Sequence, residues 1–394
     1  MITGERGEGM LTRQGLEEYV SDCVILLDHR VTEQSSTRRL RVVKYRGSTH
    51  GTNEYPFLID ETGFSVLPVT SLGLQATVST ERIPTGIARL DTMLGGKGYY
   101  RGSTVLISGT AGSGKSSVAA AFVDTACRRG ERVLYFAFEE SPEQIKRNMR
   151  SIGIDLAPWT QKNLLQFHAI RPTLFGLEMH LTTMHKVVNT FKPLVVVVDP
   201  INSFVIGDNN TEVKAMLMRL VDFFKMQHVT AFFTSLTAGD AMLEHTDVAI
   251  SSLIDTWLFL RDLELNGERN RALYILKSRG MAHSNQVREF LLTNHGIQLL
   301  DVYVGADRLL TGSSRLGQEA KDQATRREHA QELVRKQLER ERKRQALDAQ
   351  IVALRAEFEA QETDAAMVIE QDHAREDRLT QDRVEMGQSR KADK

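Results

Sequence analysis

The eight residues at 109–116 constrain the fold of this chain more than any other segment, because they read GTAGSGKS and match the pattern G-x-x-x-x-G-K-S. Glycines in this pattern let the backbone turn tightly and aim N–H groups at phosphate, while a lysine supplies charge and a serine offers its hydroxyl to Mg²⁺. An apolar stretch precedes the loop and helical apolar spacing follows it, which predicts a phosphate site and disfavours a chance glycine-rich turn. The predicted nucleotide-binding residues are Gly109, Thr110, Ala111, Gly112, Ser113, Gly114, Lys115 and Ser116.

Acidic residues at the ends of two other apolar segments are the expected partners of this loop. Residues 195–199 read VVVVD, the Walker B pattern, which places Asp199 at the carboxyl end of a buried strand, where it can hold Mg²⁺ through water. Many buried strands end in Asp, so this motif gains weight only from the phosphate loop. Glu139 and Glu140 close the segment FAFEES, and one of them can act as a general base. The alternative is that they only begin the next helix.

Composition excludes several other classes of protein. The chain has 394 residues, enough for two or more domains. Its net charge of −1 gives no overall electrostatic attraction to nucleic acid or to a membrane surface. No basic stripe with interleaved aromatics is present, so nucleic-acid binding is not expected. Cys23 and Cys127 lack metal or disulfide spacing and are expected to be packing residues of a protein in a reducing cytosol. The polar start and short apolar runs predict a cytoplasmic protein without a membrane span.

The chain divides into four parts by pattern. Residues 1–75 are strand-like, and residues 76–305 alternate strand and helix signals, as in a parallel α/β domain. A connecting loop is predicted at 306–318, and residues 319–394 have the charged composition of a long helix. The strand candidates of the α/β part are residues 104–108, 133–138, 194–198 and 229–234.

An internal repeat links the first two parts. Residues 17–57 and 244–292 share the order acid-apolar strand, basic strand, K-x-R-G-x-x-H and aromatic-apolar strand. The first copy has no Walker loop ahead of it, so the chain is expected to hold the tail of one module followed by a complete one. Two unrelated hairpins are the alternative, and three matched polar positions disfavour it. Lys44, Arg46 and His50 match Lys277, Arg279 and His283.

Two polar pairs in the second copy allow both a catalytic and a plain structural interpretation. Lys277 and Arg279 lie two residues apart at a strand end and point to one face, with no obvious partner in their own subunit. They could reach a neighbour's γ-phosphate, as an arginine finger does, or form a solvated basic strand end. The hydroxyl pair Ser251 and Ser252 precedes a strand, where such pairs usually serve turn or capping chemistry.

Together GTAGSGKS, FAFEES, VVVVD, ISSLIDT and KSRGMAH resemble the second ATPase domain of the KaiC family of circadian clock protein kinases, within the RecA superfamily. The resemblance covers roughly residues 10–315. It implies an α/β fold in which a RecA-like P-loop ATPase with a mostly parallel central sheet is preceded by a β-rich remnant of a second RecA-like module and followed by a long helix.

The resemblance also implies roles, cofactors and partners. Ser251 and Ser252 would be phosphoacceptors, modified and dephosphorylated across subunit interfaces of a hexameric ring, with ATP and Mg²⁺ as cofactors. In the family, binding of a KaiB-like partner is attributed to the first domain. Only the end of that domain is expected in this sequence, so such a partner is the less expected one. The implied catalytic residues are Glu139, Glu140, Lys277 and Arg279, the implied Mg²⁺ contacts are Ser116, Glu139 and Asp199, and His283 lies near the neighbour's nucleotide.

The charged helix at 319–394 has two interpretations. An a/d seam with polar interruptions favours a weak or register-specific coiled coil, which could join two hexamers into a dodecamer. The alternative is a single solvated helix held by i,i+4 ion pairs. The seam consists of Leu333, Leu347, Ile351, Leu354, Phe358, Ala365, Val368 and Leu379, interrupted by Gln337, Arg340, Arg344 and Asp372.

The function that the resemblance implies is that of a KaiC-like ATPase with serine autokinase and reverse phosphatase activity and a timing role. One alternative is a non-kinase RecA-like ATPase ring whose nucleotide state controls assembly or partner binding. Another is an assembly protein in which the coiled coil matters most and ATP only joins subunits.

Overall fold

The computed structural model describes residues 11, 16–32, 35–61, 63–66, 78–172, 176–205, 210–237, 250–265, 267–304 and 309–390. The chain forms two compact units, Met1–Arg315 and Leu316–Lys394. The strands are β1 (Cys23–Thr32), β2 (Ser35–Tyr45), β3 (Glu54–Asp60), β4 (Gly63–Val66), β5 (Arg82–Ile83), β6 (Tyr99–Tyr100), β7 (Thr104–Gly109), β8 (Val133–Ala137), β9 (Leu165–Ala169), β10 (Val195–Asp199), β11 (Thr230–Leu236), β12 (Thr256–Leu265), β13 (Glu268–Ser278), β14 (Arg288–Thr293), β15 (Gly296–Asp301), β16 (Tyr303–Val304) and β17 (Leu309–Leu310). The helices are α1 (Glu17–Val20), α2 (Ala88–Met93), α3 (Lys115–Arg128), α4 (Pro142–Ser151), α5 (Ala157–Gln161), α6 (Leu177–Phe191), α7 (Asn210–Met226) and α8 (Gly312–Ser389), with a 3₁₀ turn at Ile201–Phe204.

A nine-stranded sheet organises the first unit, in the order β15-β14-β13-β12-β7-β11-β10-β8-β9. The six strands from β12 to β9 are parallel, and β13, β14 and β15 extend the sheet in antiparallel fashion. All four strand candidates form strands within one or two residues of the expected bounds. The mostly parallel central sheet expected of a RecA-like domain is therefore confirmed.

The central strands are apolar on both faces because each face meets a separate core. Side chains of β10 alternate, so that Val195 and Val197 join the core under α3, whereas Val196 and Val198 join the core under α6 and α7. All four valines have no exposed surface. The sheet is thus the middle of three layers, and its carboxyl-terminal edge is left to carry polar residues.

The two hairpins of the sequence repeat have the same geometry. In both hairpins the register shifts after the second residue of the first strand, Val24 in β1 and Trp257 in β12. The lysine of each K-x-R-G motif pairs with that residue: Lys44 with Val24, and Lys277 with Trp257. The backbone N–H of Arg46 bonds to Asp22, and that of Arg279 to Asp255, each at 2.8 Å. This agreement favours a common module over two unrelated hairpins.

The first copy of the repeat belongs to a separate four-stranded antiparallel sheet, β1-β2-β3-β4. It lies in the same compact unit as the nine-stranded sheet, and β2 and β3 contact α6. Burial of Tyr55, Phe57 and Leu58 on β3 anchors it. The expected β-rich N-terminal region is therefore present. Of the two cysteines, Cys127 is buried as expected of a packing residue, whereas Cys23 is exposed, so that expectation is wrong for Cys23.

The long helix begins earlier than its composition suggests. The prediction of a connecting loop at 306–318 is wrong from Leu309 onward, because Leu309–Leu310 forms β17 and α8 starts at Gly312. The first amides of this helix find tertiary partners: that of Gly312 donates to Glu289 and that of Ser313 to Glu268, at 2.9 and 3.2 Å. Such carboxylates satisfy the free N–H groups of a helix start. Because they come from distant strands, the local composition does not show where the helix begins.

Helix α8 is continuous from Gly312 to Ser389, which confirms the predicted helix. The a/d residues Ile351, Leu354 and Phe358 are 42–65% exposed. Ion pairs at i,i+4 spacing are also present, for example Lys336 with Glu332 at 2.8 Å. The helix thus carries features of both interpretations, coiled coil and single solvated helix. None of the described helices combines the length and apolar character needed to cross a membrane.

Candidate active site

The phosphate loop joins β7 to α3 at the carboxyl edge of the parallel sheet. Gly114, directly before α3, has a φ of +106°, and a Cβ there would lie 2.8 Å from the Phe290 ring. Gly109 has no left-handed backbone, but a Cβ on it would lie 2.5 Å from the Leu260 carbonyl oxygen. Glycine is required at both positions, at the first by backbone conformation and space and at the second by space alone. The loop therefore has the close-packed form that the motif predicts.

Lys115 is folded back onto its own loop. Its Nζ donates to the carbonyl oxygens of Gly109 and Thr110, at 2.9 and 2.7 Å. Burial lowers the pKa of Lys115 to about 8, and the carboxylates of Asp199, Glu139 and Asp262 oppose this shift only in part. The ammonium group thus sits where incoming phosphate oxygens would replace the carbonyls as its partners.

Nucleotide binding is expected to take up a proton near pH 8 to 9. In the free protein about half or more of Lys115 is neutral in this range, because burial holds its pKa at about 8. Phosphate charge raises that pKa, so the bound state holds more protons and affinity falls as the pH rises above 8. Calorimetry of ADP binding in buffers of different ionisation enthalpy measures the uptake. Adenosine, which lacks phosphate, is the control, and equal uptake with adenosine would refute this assignment.

The Walker B carboxylate is held from both sides. Asp199 ends β10, between β8 and β11, and its two oxygens accept hydrogen bonds from the Tyr135 phenol and the Thr234 hydroxyl. Burial and the neighbouring Asp199 raise the pKa of Tyr135 well above its ordinary value, and a hydrogen bond from Ser116 acts in the opposite direction. The phenol is therefore a proton donor at neutral pH. Ser116 and Asp199, which were predicted to contact Mg²⁺, thus both hydrogen-bond to this buried tyrosine.

The two glutamates of FAFEES have different partners. Glu139 accepts a hydrogen bond from Ser203, on the 3₁₀ turn that follows Asp199, at 3.1 Å, and its charge acts on Lys115. Glu140 instead accepts from Asn148 of α4 at 3.0 Å. Both carboxylates are exposed. Glu139 is thus tied to the phosphate-loop edge, whereas Glu140 is tied to the helix.

The structural interpretation of this acidic pair is also partly right, because α4 starts directly after it. Ser141 caps the helix, its hydroxyl accepting from the amide of Gln144, while the Gln144 side chain accepts from the Ser141 amide. This reciprocal pair is the capping box. The helix therefore has its own cap and does not need Glu139 as one.

Three residues of this edge were not found from the sequence. Tyr135 and Thr234 lie inside apolar strands and carry no motif, although a buried tyrosine hydroxyl usually finds a hydrogen-bond partner. Asp262 on β12 accepts from the Thr110 hydroxyl and from Arg269, both at 2.7 Å. Burial opposes ionisation of Asp262, but these two hydrogen bonds outweigh it and hold its pKa below the ordinary value.

Ser251 and Ser252 occupy a turn at the opposite, amino-terminal edge of the sheet. The turn is pinned by the fully buried Ile250 and Ile254 on either side of it. Asp255, which follows, bonds to the amide and hydroxyl of Thr104 at the start of β7. Ser251 is half-buried and Ser252 is exposed, so both interpretations, turn residue and acceptor, agree with their placement. Residues 238–249, just before, lie outside the described part of the chain.

The expectation that Lys277 and Arg279 lack partners in their own subunit is wrong. Lys277 Nζ donates to the carbonyl oxygen of Ser251 at 2.8 Å, and the Arg279 guanidinium donates to that of Ser252 at 2.7 Å. Burial lowers the pKa of Lys277, and the nearby Arg279 adds to this. Sequence spacing does not show side-chain bonds to a turn that lies 26 and 27 residues earlier in the chain. The cations and the hydroxyl pair form one cluster.

The same contacts recur in the first copy of the repeat. Lys44 donates to the carbonyl oxygen of Glu18 at 2.7 Å, and Arg46 to that of Tyr19 at 3.3 Å. Glu18 and Tyr19 thus occupy the positions that Ser251 and Ser252 hold in the second copy. His283, in the loop after β13, is half-buried, and its Nδ1 lies 3.4 Å from the Ser284 carbonyl oxygen.

The two clusters lie at opposite ends of the same strands. Gly109, at the end of β7, pairs with Leu260, whereas Thr256, directly after the serine turn, pairs with Val105 near the start of β7. A six-residue strand is about 20 Å long. The structure therefore brings together the phosphate loop with Asp199 and Glu139, and separately Ser251 and Ser252 with Lys277 and Arg279, but it does not bring the two groups together within one chain.

The donor set at the loop suits a nucleotide-bound Mg²⁺. Among the described residues no cluster of three or more His, Cys, Asp or Glu could hold a metal by itself. Magnesium usually takes one or two protein oxygens and completes its shell with phosphate oxygens and water. The hydroxyl of Ser116 and the carboxylate of Asp199 are hard oxygen donors of this kind.

A RecA-like sheet with a phosphate loop, a Walker B carboxylate and a neighbouring glutamate defines a P-loop ATPase. The family model "ATPase: KaiC" matches residues 1–71 and 83–302. The chain belongs to the KaiC family of ATPases.

Relatives agree with this assignment. The chain is 53% identical over 373 residues to the circadian clock protein KaiC2 of Synechocystis sp. (strain ATCC 27184 / PCC 6803 / Kazusa), which covers 94% of this chain and 65% of that protein. It is 34% identical to the circadian clock oscillator proteins KaiC of Parathermosynechococcus lividus and Synechococcus elongatus, over 83% and 79% of this chain and 61% of each relative. The chain thus spans less than two thirds of the length of these relatives.

Proposed function

We propose that this KaiC-family ATPase is a serine autokinase that phosphorylates Ser251 and Ser252 of a neighbouring copy from ATP, and that it reverses this step. The observation that carries the proposal is the separation of the two clusters by about 20 Å. Reacting atoms must approach to about 3–3.5 Å, so a serine of the same chain is out of reach of its own phosphate loop. A neighbouring copy can present its serine turn to that loop.

The residues support an in-line phosphoryl transfer. The serine Oγ forms a bond to the γ-phosphorus as the bond from that phosphorus to the β,γ-bridging oxygen breaks, and ADP leaves. Glu139, exposed and at the loop edge, takes the hydroxyl proton. Lys115 neutralises phosphate charge, and the neighbour's Lys277 and Arg279 would arrive together with its serines. Ser116 and Asp199, with Glu139 nearby, would hold Mg²⁺, which would supply further charge neutralisation when bound.

A phosphate on the serine turn would also act on the cations that hold it. It adds about −1.5 to −2 charge next to Lys277 and Arg279, whose hydrogen bonds to this turn go to backbone carbonyls. The cations would exchange neutral acceptors for a phosphate and thereby change the contacts between neighbours. The names of the relatives, circadian clock proteins, suggest a timing role for this slow switch.

The direct test is incubation with Mg-ATP followed by mass spectrometry of the peptide containing Ser251 and Ser252. Phosphate on either serine, absent in Glu139→Gln, is the expected result. ATP turnover without any phosphopeptide, under ATP or ADP, would instead support the plain ATPase ring whose nucleotide state controls assembly or partner binding. A chain without turnover that loses assembly in Lys115→Ala would support the assembly protein.

We further propose a ring of six copies, with α8 joining two rings into a dodecamer. The ring of six is proposed from the family alone, whereas the role of α8 is supported by its row of exposed apolar side chains, of which Ile351, Leu354 and Phe358 are continuous. Light scattering should give a mass near that of twelve chains for the whole protein, and of six after deletion of residues 319–394. An unchanged number of chains after the deletion would refute the role of α8. A KaiB-like partner remains a proposal from the family alone.

A further inference from the structure

The hydrogen bonds around Asp199 show that its orientation is set by two hydroxyls on the adjacent strands. Tyr135 of β8 donates to Oδ2 and Thr234 of β11 donates to Oδ1. The register explains the meeting: Asp199 pairs with Ala137, two residues after Tyr135, so Tyr135 and Asp199 share one face of the sheet. This is the face packed under α3, whose second residue is Ser116.

The ring and the hydroxyl of Tyr135 have separate contacts, and the hydroxyl bonds to Asp199 and to Ser116, the two residues proposed to hold Mg²⁺. The side chain has no exposed surface, and its ring packs against Phe167 with centroids 5.3 Å apart. An aromatic hydrocarbon ring would serve this packing equally well. A buried hydroxyl is costly unless it is hydrogen-bonded, and the Tyr135 hydroxyl meets this need by donating to the Walker B carboxylate.

The geometry of a carboxylate explains what the two hydroxyls can do. Asp199 offers about four lone-pair positions, and the two hydroxyls occupy one on each oxygen. The carboxylate can then rotate only by breaking a buried hydrogen bond. Magnesium demands near-octahedral geometry, so a rotated acceptor at its shell weakens its binding. Groups that orient metal ligands in this way typically contribute 10- to 100-fold in metal affinity.

We propose that Tyr135 is a positioning residue for the metal–nucleotide site, which acts by fixing the Asp199 carboxylate through its phenol hydroxyl. This inference rests on the proposed nucleotide and Mg²⁺ site and is independent of phosphoryl transfer. Tyr135 is fully buried, and its hydroxyl contacts two of the proposed Mg²⁺ ligands, Asp199 and Ser116. Thr234 bonds to Asp199, so Thr234→Val tests the effect that passes through the carboxylate.

Tyr135→Phe removes the hydroxyl and keeps the ring. Tyr99 is a matched control, because it lies in the same core, has no exposed surface, and its hydroxyl has no hydrogen-bond partner among the described residues. Mn²⁺ binding to the complex of the full chain with ADP is measured by electron paramagnetic resonance, and ADP binding in the presence of EDTA by calorimetry. Thermal unfolding of each variant checks that it is folded.

In Tyr135→Phe we expect Mn²⁺ affinity of the ADP complex to fall 10- to 100-fold, and metal-free ADP affinity to stay within threefold. Tyr99→Phe should change neither quantity. The inference would be overturned if the Mn²⁺ affinity of Tyr135→Phe stayed within threefold of the unsubstituted value, or if Tyr99→Phe lost as much Mn²⁺ affinity. It would also be overturned if Tyr135→Phe lost ADP affinity equally with and without metal. If Tyr135→Phe does not fold, Thr234→Val, which removes the second hydroxyl, must show the selective metal loss. Failure of the unsubstituted chain to bind Mn²⁺ and ADP would overturn the proposed function as well.

Discussion

Replacing Glu139 with glutamine is expected to lower the rate of phosphate incorporation at Ser251 and Ser252 by about 10²- to 10⁴-fold, the usual contribution of a general base. The amide has the shape of the carboxylate but cannot accept the hydroxyl proton. Nucleotide affinity should change little, since Lys115 and the loop amides remain. The rate is measured from the phosphopeptide with saturating Mg-ATP, and binding is measured separately with ADP.

Glu140→Gln is the matched control for this prediction. The two glutamates are adjacent and both exposed, but Glu140 is bound to Asn148 of α4 rather than to the phosphate-loop edge. We expect the Glu140→Gln rate to stay within about tenfold of the unsubstituted rate, below the general-base range. A loss in Glu140→Gln equal to or greater than that in Glu139→Gln would show that the assignment of the base is wrong.

Mixing two inactive chains should restore phosphorylation in one direction only. One chain carries Ser251→Ala and Ser252→Ala and keeps its phosphate loop and Glu139. The other carries Glu139→Gln and keeps both serines. Because the serine turn and the loop lie at opposite ends of the same strands, the proposed transfer would have to cross between copies. Phosphate should therefore appear on the Glu139→Gln chain at a rate at least 10²-fold above that of this chain alone.

Co-expression with two different affinity tags ensures that both chains enter one assembly, and sequential purification verifies it. The unsubstituted protein must first be shown to be phosphorylated. If the two chains then co-purify but the serines of the Glu139→Gln chain stay unmodified, transfer between copies is refuted. A third mixture, in which the chain without serines also carries Lys115→Ala, should be inactive. It shows that the phosphate comes from that chain's loop.

The parts of this protein that are local in the chain were predictable from sequence. Residues 109–116 specify the phosphate loop because glycine conformation, a lysine and a helix start are encoded in eight consecutive positions. The apolar run of β10 identifies a strand buried on both faces, because alternate residues of the strand pack into two separate cores. The repeated K-x-R-G-x-x-H motif predicted a duplicated hairpin, and even its register shift recurs.

Only the tertiary structure decided how these parts meet. Partners of Lys277 and Arg279 are backbone carbonyls, which carry no sequence signature, and the early start of α8 depends on carboxylates from distant strands. Tyr135 reaches Asp199 because β8 and β10 are neighbours in the sheet although 64 positions separate the two residues. Strand order and register arise from packing of the whole sheet. They place the phosphate loop and the serine turn at opposite edges, which single motifs do not encode.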